Sequence, residues 1–222
     1  MDFVMVLFEL VYVFNLIGSL ILIANIHVKR HTEGISYYTQ LLFGLASIIK
    51  FYYFYYSILS EHWLFWAESL LSIFVSGYMI WLMFRFKPLS LNKEQNFWDY
   101  RVIIVVSALL AVASNYERSK RKFEWYFFAI RFANILEALG LLPQLRVMRN
   151  EKFVSKPIGF FLLSLMISRI FRIWFWVALF QSYYSKDKYY ILIGADALYV
   201  VLLLDFAYFF WKYRKDQVIP YN

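Results

Sequence analysis

The chain has 222 residues, 62% of them hydrophobic and 23% aromatic with only 17% charged, and a mean hydropathy of +0.55, which excludes an ordinary soluble globule. The formal net charge of +8 lies in short basic clusters between apolar runs, the pattern of membrane-flanking loops and not of a nucleic-acid-binding face. No cysteine is present, so a disulfide framework, a thiol nucleophile and a thiolate metal site are all excluded.

A membrane span needs roughly 17 to 25 mostly apolar residues, and seven stretches meet or approach that length. In chain order they are about 3–27, 37–59, 62–84, 99–116, 123–145, 157–181 and 189–211. The first has Asp2 in place of a basic leader and runs into His27, Lys29 and Arg30 without a small-residue cleavage site, so it reads as a retained span and not as a signal peptide. The fourth is the weakest, because its strictly apolar part covers only 102–114; it is short enough to be re-entrant or shielded by neighbours. The expected fold class is therefore an all-α integral membrane protein, a single seven-helix domain over 1–222.

The loops after spans one, three, five and seven, which contain Lys29, Lys93, Arg146 and Lys212 among others, hold about twice as many basic residues as the opposite loops. That asymmetry places the N-terminus outside, on the luminal side, and the C-terminus in the cytosol, although the basic run at 117–122 argues the other way. Four basic residues remain within spans, Lys50, Arg131, Arg169 and Arg172, together with the acids Glu9, Glu68, Glu137, Asp196 and Asp205. A charge at mid-bilayer costs several kcal/mol unless paired or wetted, so these side chains are expected to face a shared polar interior. They are the functional candidates; Lys50, Glu137, Arg169 and Asp205 in particular are expected to avoid lipid.

Sliding residues 36–54 onto 155–173 aligns Ser36 with Ser155, Leu41-Leu42-Phe43 with Phe160-Phe161-Leu162, and Lys50 with Arg169. Spans one to three (about 3–84) and five to seven (about 123–211) then form two parallel three-helix units, with the fourth span (about 99–116) as the linker helix that restores direction. Parallel repeats of this kind hold their ligand between the halves, which brings Lys50 and Arg169 to one cavity.

The stretch Leu136-Glu137, Leu142-Pro143-Gln144-Leu145, Ser168-Arg169 and Trp176, with Gly34-Ile35-Ser36, Gln40 and Phe43 before it and Asp205-Phe206 after it, resembles the KDEL receptor family of endoplasmic reticulum retrieval receptors, which share the PQ-loop and SWEET-like membrane folds. The resemblance runs nearly end to end. It implies a receptor for the C-terminal tetrapeptide of an escaped luminal protein, cycling between Golgi and endoplasmic reticulum. The peptide's carboxylate and acidic side chains are held in that family in a basic cavity open to the lumen. Carried onto this sequence, the ligand-binding residues are Lys50, Arg169, Arg172 and Trp176, with Glu137, Asp205 and Asn15 as polar support and Pro143 and Gln144 as the motif. The terminal Lys212, Arg214 and Lys215 fall where the family carries lysines read by coat machinery; the plain reading is a positive-inside anchor.

The departures concern the cavity. Of the family's arginines only Arg169 stands unchanged; Lys50 replaces one with a point charge that lacks the planar fork. Others fall at Phe8 and Leu179, the family's cavity acids fall at Tyr53 and Phe127, and its Tyr ahead of the Arg is Ser168. Arg172 lies one turn from Arg169, where it is placed to compensate. The family's pH-linked His is Asn15, while His27, His31 and His62 lie near span ends, so a proton switch of the family's type is not expected. Three functions follow: a retrieval receptor with a luminal C-terminal peptide as partner, a structural subunit of a larger membrane assembly that keeps the fold without the peptide site, or a small-solute transporter on the same architecture. Phosphate-binding glycine loops, metal-ligand spacings and catalytic constellations are absent from the sequence, so neither enzymatic activity, a metal nor a cofactor is expected.

Overall fold

In a computed structural model of the chain, residues 2–30, 32, 34–56, 63–86, 100–115, 125–151, 155–182 and 187–214 are described. They form α1 (Asp2–Lys29), α2 (Tyr37–Tyr56), α3 (Trp63–Arg85), α4 (Tyr100–Asn115), α5 (Trp125–Leu139), α6 (Leu141–Glu151), α7 (Lys156–Ser182) and α8 (Asp187–Arg214), with no strand among the described residues. Among the described residues five stretches, Phe3–Lys29, Trp66–Arg85, Phe127–Asn150, Lys156–Leu179 and Tyr190–Lys212, are long and apolar enough to cross a membrane. Helix α2 has 20 residues, but its tyrosines, Gln40 and Lys50 lower its hydropathy. Helix α4 has 16 residues, about 24 Å of rise against a hydrocarbon layer of about 30 Å.

The polarity is inverted relative to a soluble bundle. Phe74, Phe84, Trp174 and Trp211 are exposed, whereas Arg169 is 2% exposed and Asp196 0%. Apolar groups on the outside and charges within is the arrangement that lipid selects, because hydrocarbon cannot solvate an ion. The chain is an all-helical integral membrane protein.

The fifth span comprises both α5 and α6. Pro143 has no N–H, and its ring crowds the carbonyl four residues back, which is Leu139, the last residue of α5. The chain turns at Gly140, whose N–H still donates to the Leu136 carbonyl at 2.8 Å. A Cβ at Gly140 would meet the Leu136 carbonyl oxygen at 2.8 Å and Leu42 Cβ at 3.3 Å, so glycine also lets this turn approach α2. The side chain after the proline then fastens the start of α2. The Ser36 N–H donates to Gln144 Oε1 at 2.8 Å, and Gln144 Nε2 donates to the Gly34 carbonyl at 2.6 Å. Gly34 takes a φ of 77°, a conformation that suits glycine. Ser36 caps α2 by accepting from the Thr39 N–H at 3.2 Å.

Packing is symmetric under exchange of the two groups of three spans. Helix α1 packs on α7 as α2 packs on α5; α2 lies against α3 as α7 lies against α8; α1 meets α3 as α5 meets α8. Helix α4 lies outside this exchange, against α5. Arg131 of α5 donates to the Ser114 carbonyl at 2.6 Å and to Asn115 Oδ1 at 3.1 Å, tying down the end of α4. Arg131 thus has its partners at the α4 seam. The α1–α7 seam is tight because Gly18 lies opposite Ser164: a Cβ there would stand 3.1 Å from Ser164 Cβ and 3.2 Å from the Phe161 carbonyl oxygen. Small residues at a helix crossing allow such an approach in lipid.

Two apolar clusters sit at opposite ends. One gathers Leu22 and Ile26 of α1, Leu82 of α3, Leu162 of α7 and Leu203 of α8. The other gathers Phe8 of α1, Tyr53 of α2, Phe127 and Ile130 of α5, and Phe175 and Trp176 of α7. The buried charges lie between these clusters.

Candidate functional site

Helices α2, α5, α7 and α8 each contribute charge to one network. Glu137 accepts from three cations: Lys50 Nζ at 2.5 Å, Arg169 Nη1 at 2.7 Å and Arg172 Nη1 at 3.0 Å. Arg172 also grips Asp196, with Nε 2.8 Å from both carboxylate oxygens and Nη2 bonded to Oδ1. Trp176 Nε1 donates to Asp196 Oδ2 at 3.0 Å. Arg169 stands 3.5 Å from Asp196, and its guanidinium lies 4.0 Å over the Tyr199 ring, where the face of the π system favours a cation.

Three cations share two carboxylates, which leaves one positive charge in surplus. Among the three, Lys50 has the most accessible side chain, 14% exposed against 3% for Arg169 and 8% for Arg172.

The network borders a cavity of about 290 Å³ between α1, α2, α3, α5 and α7, at the lower edge of the roughly 300–1,000 Å³ of small-ligand sites. Lys50, Glu137, Arg169 and Arg172 line it from one side, and Glu68, Ser72 and Ser76 of α3 from another. Several polar atoms that face it are buried without a hydrogen-bond partner among the described residues: Asn15 Oδ1, Gln40 Nε2, Glu68 Oε2, both amide atoms of Asn134, and Arg169 Nε. Buried polar groups are nearly always satisfied, so these atoms are disposed to receive a polar ligand or water.

Of the residues expected at the site, Lys50, Arg169, Arg172, Trp176, Glu137 and Asn15 come together around this cavity. Asp205 does not. It pairs with Arg149 at 2.6 Å, with side chains 39% and 55% exposed, near the far end of α8. Its interior counterpart is Asp196, about two and a half turns earlier on the same helix. Sequence reading placed Asp196 among the buried acids without assigning it to the site; the signal was that Glu137 alone cannot neutralise Lys50, Arg169 and Arg172. Pro143 and Gln144 shape the α5–α6 turn and the α2 start. Lys212 is exposed, while the Arg214 side chain, Lys215, His31, His62 and the basic run at 117–122 lie outside the described residues.

Phe8, Tyr53, Phe127 and Leu179, the positions where the resembled family carries charge, meet in a single apolar cluster. Phe8 and Phe175 have ring centroids 5.5 Å apart, and Tyr53 and Phe127 6.4 Å apart. Ser168, where the family has Tyr, donates to the Val11 carbonyl at 2.9 Å and so ties α7 to α1.

The family model described as ER lumen protein retaining receptor matches residues 31–179, a stretch that includes Lys50, Glu137, Arg169 and Arg172. The chain belongs to that family. Among its relatives, the ER lumen protein-retaining receptor of Saccharomyces cerevisiae is 27% identical over 206 residues, 89% of each chain. The Petunia hybrida protein of the same description is 23% identical over 215 residues, 93% of this chain and 94% of the relative. Caenorhabditis elegans ER lumen protein-retaining receptor erd-2.2 is 25% identical over 212 residues, again 93% and 94%. These relatives align with almost the whole chain.

Proposed function

We propose that this chain is a retrieval receptor of the endoplasmic reticulum and Golgi membranes that captures the C-terminal tail of escaped luminal proteins. The observation that carries the reading is the single surplus cation beside a membrane-buried cavity. A terminal carboxylate completes that charge balance, and an ion pair formed away from bulk water is far stronger than one at a surface. Lys50 makes the first contact and the guanidinium of Arg169 backs it. The orphaned amides of Asn134, Gln40 and Asn15 are placed to bond the peptide backbone. The basic asymmetry of the loops supports a luminal N-terminus and a cytosolic C-terminus, which leaves Lys212, Arg214 and Lys215 on the side where coat proteins act.

The test is binding of peptides ending in Lys-Asp-Glu-Leu or His-Asp-Glu-Leu to the purified chain, with C-terminally amidated peptides as controls. Free-acid tails are expected to bind above their amides, and Arg169→Ala to abolish the difference. If neither peptide exceeds its amide at any pH, the receptor reading fails and a structural-subunit role takes its place.

A further inference from the structure

Helices α1 and α3 share an apolar cluster at one end only. There Leu22 and Ile26 of α1 gather with Met79, Leu82 and Met83 of α3, and His27 Nε2 meets Tyr78 Oη at 2.8 Å. The cluster at the opposite end takes residues from α1, α2, α5, α7 and α8 and, among the described residues, none from α3. Between the two ends the cavity reaches the outer surface of the bundle. Of the residues that line it, Val13 of α1 and Leu71 of α3 are the exposed ones, at 48% and 45%, whereas Phe8, Phe175 and Trp176 at the aromatic end are buried. The corresponding seam of the second unit is filled, because Ala195 of α8 shares a cluster with Ile135 and Phe132 of α5. Val13 and Leu71 lie about 17 Å and about 12 Å of helix rise from the starts of α1 and α3, so the opening faces hydrocarbon and not water.

Going beyond the receptor reading, we propose that the α1–α3 seam is a lateral portal through which a single-chain carboxylic amphiphile, a free fatty acid, enters from the bilayer and seats its head group on the cationic wall of the cavity. The network of three cations and two carboxylates takes one more carboxylate, and an ion pair sheltered from water is strong. Lys50 carries the charge, and Arg169 Nε and the Asn134 amide nitrogen, which have no hydrogen-bond partner among the described residues, add donors beside it. Glu68 stands on α3, at the seam side, and takes no part in holding the head group. Ser19 of α1 and Ser72 of α3 line the way in with hydroxyls. The alkyl chain then lies along Leu16 and Val75 and leaves between Val13 and Leu71, so whatever the cavity does not cover stays in lipid and no apolar surface meets water. A neutral lipid leaves the surplus cation unmet, and a two-chain lipid is too large for about 290 Å³. Fatty acid and peptide tail need the same cation and exclude each other; only this competition rests on the receptor reading.

The experiment uses the full chain in phosphatidylcholine nanodiscs and dodecanoate carrying a mid-chain diazirine, with the adducts mapped by mass spectrometry. Adducts are expected on Val13, Leu16, Leu71 and Val75, well above those on Trp174 and Trp211, which are exposed elsewhere on the bundle. Unlabelled dodecanoate should remove them, and methyl dodecanoate should compete about tenfold less well, because the ester brings no charge to Lys50. Leu71→Trp fills the seam from a lipid-exposed position and should lower labelling about tenfold with the unfolding temperature unchanged; Val13→Trp tests the same seam from α1. Adducts spread evenly over the outer faces, an ester that competes as well as the acid, or full labelling in both variants overturns the inference while the receptor reading stands. Phosphatidylserine that displaces the probe as well as dodecanoate does overturns the single-chain assignment. Dodecanoate should also lower capture of a free-acid tail by the wild-type chain, and less so in Leu71→Trp. If no free-acid tail exceeds its amide, the receptor reading fails and the labelling decides the fatty-acid site by itself.

Discussion

At Glu137 one carboxylate holds three cations from two helices, so its side chain does more than balance charge: it sets where Lys50, Arg169 and Arg172 point. Removing one member of a buried network leaves its partners uncompensated, at about 3–5 kcal/mol. Glu137→Ala should therefore lower the thermal unfolding temperature in detergent markedly, and Asp196→Ala nearly as much, since it removes the acceptor of Arg172 Nε and Nη2 and of the Trp176 N–H. By contrast Arg149→Ala breaks a pair that is largely exposed, and should cost less than about 1 kcal/mol in the same scan. Lys50→Arg is expected to increase affinity for a free-acid tail, because a guanidinium bonds Glu137 and a ligand carboxylate with separate N–H groups. A loss of binding in Lys50→Arg without loss of stability would contradict Lys50 as the contact cation.

At the level of elements, the Pro143–Gln144 pair joins two jobs: the proline breaks the fifth span, and the glutamine beside it caps the backbone that opens the second. Gln144→Ala leaves the Ser36 N–H and the Gly34 carbonyl without those partners, at a cost of about 1–3 kcal/mol. Gln144→Glu keeps an acceptor for Ser36 but sets a carboxylate oxygen against the Gly34 carbonyl, and is expected to be the more harmful of the two in an unfolding assay. The α1–α7 seam depends on a missing side chain. Gly18→Val should destabilise by about 1–3 kcal/mol and separate the helices that carry Asn15 and Arg169, so peptide binding is expected to fall along with stability.

For the whole molecule, the titratable switch expected of an imidazole inside the cavity has no candidate among the described residues. His27, the one described histidine, bonds Tyr78 Oη at 2.8 Å at an exposed site, and Asn15 carries no proton that titrates. No imidazole-linked rise in tail affinity is therefore expected between neutral and mildly acidic conditions; a change on acidification that Glu68→Gln removes would assign it to that cavity carboxylate instead. Topology is checked by protease protection of terminal tags in sealed microsomes, where the N-terminal tag should be shielded and the C-terminal tag cleaved.

The spans were legible in the sequence because hydrocarbon demands long apolar runs and short polar connections, and that requirement is local. Family membership was legible for a related reason: Leu136-Glu137, Pro143-Gln144 and Arg169 hold their order and spacing. The same locality made Lys50, Arg169, Arg172 and Glu137 stand out, since a charge inside an apolar run is visible without knowing its neighbours. Which charges meet is a different matter. Asp196 and Asp205 are both acids within the eighth helix, and only the packing of α8 against α7 and α6 sends one to Arg172 and the other to Arg149. Likewise Phe8, Tyr53, Phe127 and Leu179 are unremarkable members of four apolar helices until the bundle gathers them at one end. Charge balance and cavity shape depend on contacts between residues far apart in the chain, so the tertiary structure alone decided that three cations meet two carboxylates in one network beside a cavity with an aromatic wall.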